Sequence, residues 1–459
     1  VGISQRLAEY IHDIKYEDLP KDVVEFTKLC ILDYFGSAIA GSTKQPIQMI
    51  EEMVRELGGE SQATLMTGGR SSITNAALVN GAASHIMELD DIHKTSIIHA
   101  GTVIIPAAIA VSEWKESSGK DLITSIVAGY EVAYRIGEAV TPSHYYYWHN
   151  TATCGTFGAA ASAGKLLNLN KEELIHALGS AGTQAAGLWE FIEDGAMSKQ
   201  LHPGKAAMNG VISALLAQKG FTGASEILEG RRGFFEAMSK EYDVKKVTRG
   251  LGNQFKITEN SFKIHASCRH THHVMDLMIE LHHEDRLSFE EIDKIVIYTY
   301  QTAIDITDNN QPSTEYAAKF SIQFCTALAL LQGNGDFDQF NQRTLWDPKI
   351  RKLMNRVFVK TDSEMTSSYP KKWGAKAEIF LTSRSVITRV TDFPKGDPEK
   401  PVTKKELLAK FMKMASMMPK QRLKNFTDKL MDLENLSEIG PIMSFIEESN
   451  FERVREGQT

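Results

Sequence analysis

The stretch HASCRHTHH, residues 265–273, gathers four of the chain's fourteen histidines, one of its four cysteines and an arginine. Such a density allows a metal cage, an activated thiol or an anion pocket. Its spacing argues against the cage: His270, His272 and His273 stand too close together for the separated ligand pairs of a structural zinc site, and no His-Glu-x-x-His run is present. A thiol nucleophile at Cys268 would draw on Arg269 and His270 to lower its pKa, but no glycine-rich oxyanion turn accompanies it. An arginine flanked by imidazoles matches a carboxylate best, because the guanidinium fork fits two oxygens. The same pattern would also suit a histidine-rich helix start at the surface.

Three other segments concentrate groups that bind anions or move protons. MELDDIHKTSIIHAG carries Glu88, Asp90, Asp91, His93, Lys94 and His99. Adjacent carboxylates beside histidines can serve as acid and base or ligate a metal, and the same residues would suit a solvated interhelical loop. In YYYWHNTATCGTFG, His149 follows an aromatic run and precedes a helix start, whose free N–H groups attract anions. In MSKQLHPGKAAMNG, Lys199, His202 and Lys205 crowd the approach to a helix whose first turn is expected near Pro203. Cations there oppose the helix dipole and are easier to accommodate with an anion between them.

The elements that must position these groups fall into two textures. From about residue 20 to 240 the reading is almost all helix, in runs such as KDVVEFTKLCILDYFGSAIAG, SITNAALVNGAASHIMEL and PGKAAMNGVISALLAQKG, rich in the small residues that let helix backbones approach closely. After about 258 the segments IDKIVIYTY, RVFVKTD and AKAEIFLTS read as short strands, with helical KFSIQFCTALALLQG between them. The cluster TDFPKGDPEKP breaks that pattern, and helical periodicity resumes beyond it. The expected class is therefore mostly α with a smaller α+β domain: a helical domain over 1–258, an α+β lid over 259–395, and C-terminal helices over 396–459 that return to the helical domain.

At 459 residues, 42% hydrophobic and with net charge −7, the chain reads as a soluble globular protein without a general nucleic-acid surface. No window offers eighteen uninterrupted apolar residues, and no apolar signal core opens the chain, so neither membrane insertion nor export is expected. The four scattered cysteines suggest no disulfide framework or metal cluster, which fits a reducing compartment. The expected location is cytoplasmic, or the mitochondrial matrix for an animal protein.

In order and spacing, LVNGAASHIMELDD, TCGTFGAAASAGKLL, KQLHPGKAAMNG, GFTGASEILEGRRGFFEAM, CRHTHHVMD and YAAKFSIQF resemble the MmgE/PrpD family, which includes 2-methylcitrate dehydratases, cis-aconitate decarboxylases and iminodisuccinate epimerases. The resemblance implies a discontinuous helical domain, an α+β lid, a site between them, a homodimer, and chemistry next to carboxylates without metal or organic cofactor. Measured against the decarboxylase pattern, His99, His149, Lys199 and the Asp90–Asp91 pair are kept. Glu88 stands in place of an aspartate, Ile92 of a threonine and Cys268 of a histidine.

The function expected from this is a cofactor-independent lyase on a small di- or tricarboxylate, with cis-aconitate decarboxylation to itaconate as first candidate. Asp91, His93, His99, His149, Lys199, Cys268, His270 and His272 are the candidate catalytic residues. Asp90, Lys205, Arg269 and Lys319 are the candidate substrate-binding ones. Alternatives are a hydro-lyase, an epimerase with Lys319 as second base, and a tricarboxylate-binding protein without catalysis.

Overall fold

In the computed structural model of the chain, residues 2–285 and 287–446 are described. Residues 1, 286 and 447–459, which belong to the three expected segments, lie outside them. The fold is mostly helical with a smaller α+β part, as the sequence predicts. It divides into two compact units: one runs to Ile86, resumes over Asp90–Asn260 and takes up the chain again from Thr403, while the other holds Met87–Leu89 and Ser261–Val402.

The first unit is a helical assembly. Its main elements are α1 (Lys21–Gly41), α2 (Ile73–His85), α3 (Gly101–Lys115), α4 (Gly119–Val140), α5 (Asn150–Leu166), α6 (Lys171–Gly182) and α7 (Ser198–Gln218). Side-chain caps start several of them: Ser118 accepts from the Asp121 N–H at α4 and Asn170 from the Glu173 N–H at α6, each inside a capping box. Glycines set how closely the helices cross. A Cβ on Gly204 of α7 would lie 2.2 Å from the Leu78 carbonyl oxygen of α2, and one on Gly129 of α4 would lie 2.8 Å from the Gly158 carbonyl of α5. Gly204→Ala is therefore expected to cost about 1–3 kcal/mol by overpacking, measured as a lowered urea midpoint. Unchanged stability would show that the α2–α7 crossing can open without cost.

Helix α7 begins at Ser198, so Lys199, His202 and Lys205 all lie within it and Pro203 stands in its interior rather than at its first turn. Having no N–H, Pro203 cannot bond the Lys199 carbonyl one turn earlier. Two C-terminal helices, α10 (Lys404–Met414) and α11 (Lys420–Met431), belong to this unit. They are tied to α1 by buried charges: Lys28 Nζ donates to the Met431 carbonyl at 2.9 Å, and Lys410 Nζ meets Asp33 Oδ1 at 2.6 Å.

The second unit holds α8 (Arg269–Glu284), β1 (Ile292–Thr299), α9 (Ile322–Gln332), β2 (Val357–Thr361), β3 (Ala375–Leu381) and β4 (Val386–Thr391). The sheet order is β2-β1-β3-β4. β1 and β2 run parallel with Ile295 opposite Val357, which requires a crossover, and α9 lies within it. β3 runs antiparallel to β1 and continues through a short turn into β4. Strand β4 was not anticipated; its residues alternate between exposed and half-buried on a sheet edge, so no apolar face marks it. Among the described residues no helix is long and apolar enough to cross a membrane.

Candidate active site

In the helical unit the ends of four helices bring a histidine cluster together around one carboxylate. His85 ends α2, His99 precedes α3, His149 is the N-cap of α5, and Lys199 and His202 lie one turn apart near the start of α7. Asp90 Oδ2 lies 2.7 Å from Nδ1 of His85 and 3.0 Å from Nδ1 of His99. Burial would raise the Asp90 pKa, but the charges of His85 and His99 hold it well below the usual carboxylate range. The His85 ring lies 4.9 Å from that of His99 and 5.8 Å from that of His149, centroid to centroid.

This arrangement fixes tautomers. His99 Nδ1 also lies 2.8 Å from the Asp91 carbonyl oxygen, which can only accept, so Nδ1 carries a hydrogen and any proton the ring exchanges is exchanged at Nε2. By the same logic the ionised Asp90 makes His85 Nδ1 a donor. Ligand atoms of His85, Asp90 and His99 lie within 4.8 Å of one another, close enough to surround a metal ion. A metal on His99 Nδ1 would have to displace the hydrogen that the carbonyl and carboxylate engage, so the geometry favours a hydrogen-bonded relay.

The loop carrying Asp90 and Asp91 is held from several sides. Asp91 Oδ1 accepts the Gly101 N–H at 2.9 Å, and Oδ2 accepts from the Tyr130 hydroxyl at 2.7 Å and Asn260 Nδ2 at 2.6 Å. Burial pushes the Asp91 carboxyl up to about 7, against those two hydrogen bonds. A Cβ on Gly101 would lie 2.8 Å from Asp91 Oδ1, so only glycine allows this approach. The turn before His99 is closed by the His93 N–H donating to the Ile98 carbonyl at 2.9 Å, and Ile97 within it has φ +54°, a strained conformation for a β-branched residue. The His99 backbone N–H then donates to Thr151 Oγ1 of α5 at 3.0 Å.

His149 is 1% exposed and Lys199 2%. Burial first, then the positive charges of His202, Lys199, His85 and His99, push the His149 pKa well below the imidazole range. His202 is lowered to about 4, by burial and then by His85 and Lys199. The two rings meet Nδ1 to Nδ1 at 3.1 Å. Lys199 thus acts on both His149 and His202, and an anion bound beside them would offset its charge.

The other candidates of this unit lie apart from that contact network. His93 is buried and stacks on Tyr134 at 4.2 Å, with Nδ1 2.8 Å from Ser96 Oγ and Nε2 3.5 Å from Glu259 Oε2. Lys94 is buried as well. Lys205 is exposed and donates to Asn209 Oδ1 at 3.0 Å. His85 was not expected at the site: at the end of an apolar helix it reads as packing, and the signal that marks it is its spacing, five residues before Asp90. His202 entered the sequence reading only as part of a basic group, although its i,i+3 offset from Lys199 places both on one helix face.

In the α+β unit HASCRHTHH forms a buried network. Cys268 is the N-cap of α8, and its N–H donates to the Lys319 carbonyl at 2.9 Å. Arg269 donates to Asp397 Oδ1 at 2.5 Å, to the Lys395 carbonyl at 3.1 Å and to Nδ1 of His272 at 2.9 Å. His272 Nε2 donates to the Ser267 carbonyl at 3.2 Å, and burial followed by the Arg269 charge keeps this ring neutral. His270 lies flat on Trp373 at 4.5 Å with Nδ1 2.7 Å from the Tyr300 hydroxyl, His273 Nε2 lies 2.9 Å from Thr299 Oγ1, and His265 Nε2 lies 2.8 Å from Asp276 Oδ1. Lys319 Nζ donates to the Met87 carbonyl at 3.0 Å, and Lys263 Nζ meets Glu88 Oε2 at 3.4 Å. Among the described residues these histidines form no metal-sized grouping.

A helical unit, an α+β unit and a buried cluster of imidazole, lysine and carboxylate describe a known class. The MmgE/PrpD N-terminal domain matches residues 5–246 and the MmgE/PrpD C-terminal domain residues 265–433, so the chain belongs to the MmgE/PrpD family. The chain is 25% identical to the cis-aconitate decarboxylase-like protein oryM of Aspergillus oryzae over 97% of both chains. It is 26% identical to the cis-aconitate decarboxylase of Mus musculus over 95% of this chain and 92% of that one. A probable 2-methylcitrate dehydratase of Saccharomyces cerevisiae is 23% identical over 46% of this chain and 42% of its own. Decarboxylases and dehydratases are both lyases, and the chain is placed among the lyases of this family.

Proposed function

We propose that the protein is a lyase acting on a small di- or tricarboxylate, with cis-aconitate decarboxylation to itaconate as the reaction it fits best. The observation that carries the reading is the buried cluster in which Asp90 bridges His85 and His99, with His149 beside the His85 ring and His202 and Lys199 beside His149. Lys199 and His149 bind substrate carboxylates. His99, its tautomer set by Asp90 and the Asp91 carbonyl, orients the substrate through Nε2.

Decarboxylation needs a place for the electron pair of the broken C–C bond. In cis-aconitate the CH2–COO− arm lies next to a C=C bond conjugated to a further carboxylate. As CO2 leaves, the pair shifts through that double bond to the carbon alpha to the remaining terminal carboxylate, and His149 delivers a proton there. The cations stabilise the dienolate-like charge as it develops. The substrate is its own electron sink, so no step calls for a cofactor.

Incubating the purified protein separately with cis-aconitate, citrate and 2-methylcitrate and analysing the products by chromatography tests the reading. Itaconate from cis-aconitate is the expected result. Dehydration products alone would move the assignment to a hydro-lyase, and tricarboxylate binding without any product would favour a binding protein. A homodimer is the assembly proposed for it; Met49, Met53 and Leu57 form an exposed apolar stripe on helix Gln45–Leu57 that would suit a second copy. Sedimentation at micromolar concentration should show a particle of two chains.

A further inference from the structure

His149 is enclosed, and its ring nitrogen Nδ1 faces Nδ1 of His202, whose ring is half-buried. Two neutral imidazoles in such contact must share a single hydrogen, one donating and one accepting. Both rings are held in place. Trp189 packs against His149 at 5.0 Å and Phe191 edge-on against His202 at 5.5 Å. The Gly187 carbonyl accepts the His149 backbone N–H at 2.9 Å. Gly187 has φ +149°, and a Cβ there would lie 3.3 Å from His202 Nδ1 and 2.5 Å from the Ala152 Cβ. A glycine is thus required where the chain passes over the histidine pair.

We propose that His202 is a proton-relay residue that passes solvent protons to His149 by exchange of ring tautomers. The proposal rests on the lyase reading above, in which each CO2 released requires one proton at carbon. In the relay His149 gives its Nε2 proton to the substrate carbon. The Nδ1 hydrogen of His202 crosses to His149 Nδ1, and a solvent acid protonates His202 Nε2. One proton enters, one reaches carbon, and neither ring becomes charged. The tautomers end reversed and are restored when water enters after product release. A relay through neutral rings suits a pair whose burial opposes an imidazolium.

The test uses the full chain with cis-aconitate as probe, in H2O and D2O, with and without added imidazole. His202→Gln is expected to lower kcat at least about tenfold with little change in KM, to enlarge the solvent isotope effect, and to regain rate as imidazole is added. Gly187→Ala should give the same pattern in weaker form. Selective 15N-histidine NMR of the substrate-free protein supplies a readout independent of turnover: the wild type should show His149 and His202 sharing a hydrogen, and His202→Gln should change the His149 tautomer. Wild-type kcat and isotope effect in His202→Gln, or a loss that imidazole does not restore, would overturn the relay. Were the wild type to turn over none of the acids, the lyase reading would fall and the NMR alone would decide: no shared hydrogen between the two rings would rule the relay out.

Discussion

Asp90→Asn is expected to lower kcat by about 10²–10⁴ while leaving the protein folded. The carboxylate accepts from Nδ1 of both His85 and His99, and it is held ionised by them. Both rings meet the same oxygen, Oδ2, so an asparagine whose amide oxygen takes that place keeps both hydrogen bonds but removes the negative charge that supports any positive charge the two rings take up in the reaction. Circular dichroism and the thermal midpoint should change little, because the side chain's volume and position are kept. A variant with wild-type kcat would show that the Asp90 bridge only packs the cluster.

The second large effect concerns acid. His144 and His202 are lowered to about 4 and His273 to about 3, chiefly by burial, and His149 and His272 are held well below the imidazole range by the same first cause. Each is neutral in the fold and protonated in the unfolded chain near pH 5, so each makes stability rise with pH through that range. Asp91 and Glu131, pushed up to about 7 by burial, act with the opposite sign: they are protonated in the fold, and their contribution is lost as pH rises toward 7. Five histidines against two carboxylates leave the native protein about three protons short of the unfolded chain at pH 5, a slope of about 4 kcal/mol per pH unit.

The two units do not share this burden equally. Both carboxylates belong to the helical unit, which also holds three of the histidines, whereas His272 and His273 in the α+β unit have no such offset. Acidification from pH 7 to 5 should therefore destabilise the α+β unit first, seen as loss of amide protection in α8 before α4 in hydrogen exchange. Equal protection of both units down to pH 4.5 would contradict the assignment of neutral buried histidines.

Much of the fold could be read from local pattern. The run from Lys21 to Gly41 is a helix over that whole span, and IDKIVIYTY contains the strand Ile292–Thr299. Strand β4 escaped because an edge strand with no buried face carries no alternation to detect. The start of α7 was misplaced because a proline reads as a first-turn residue, and here it sits in the interior. At the site, His99, His149 and Lys199 stand out in their local segments, and the family pattern singles them out from their neighbours. His85 and His202 carry only weak spacing signals, and their three-dimensional neighbours give those signals meaning. Arg269 shows the limit most sharply: its partner Asp397 lies 128 residues further along the chain, where no spacing rule reaches.

The Asp90-bridged cluster is the proposed binding place of a polycarboxylate. The most direct test is a crystal structure of the protein with tricarballylate, a saturated tricarboxylate that lacks the double bond needed for turnover. The expected result is carboxylate density within hydrogen-bond distance of Lys199 Nζ and of the His149 and His99 rings. Tricarballylate bound elsewhere, with that cluster unchanged from the free protein, would contradict the assignment.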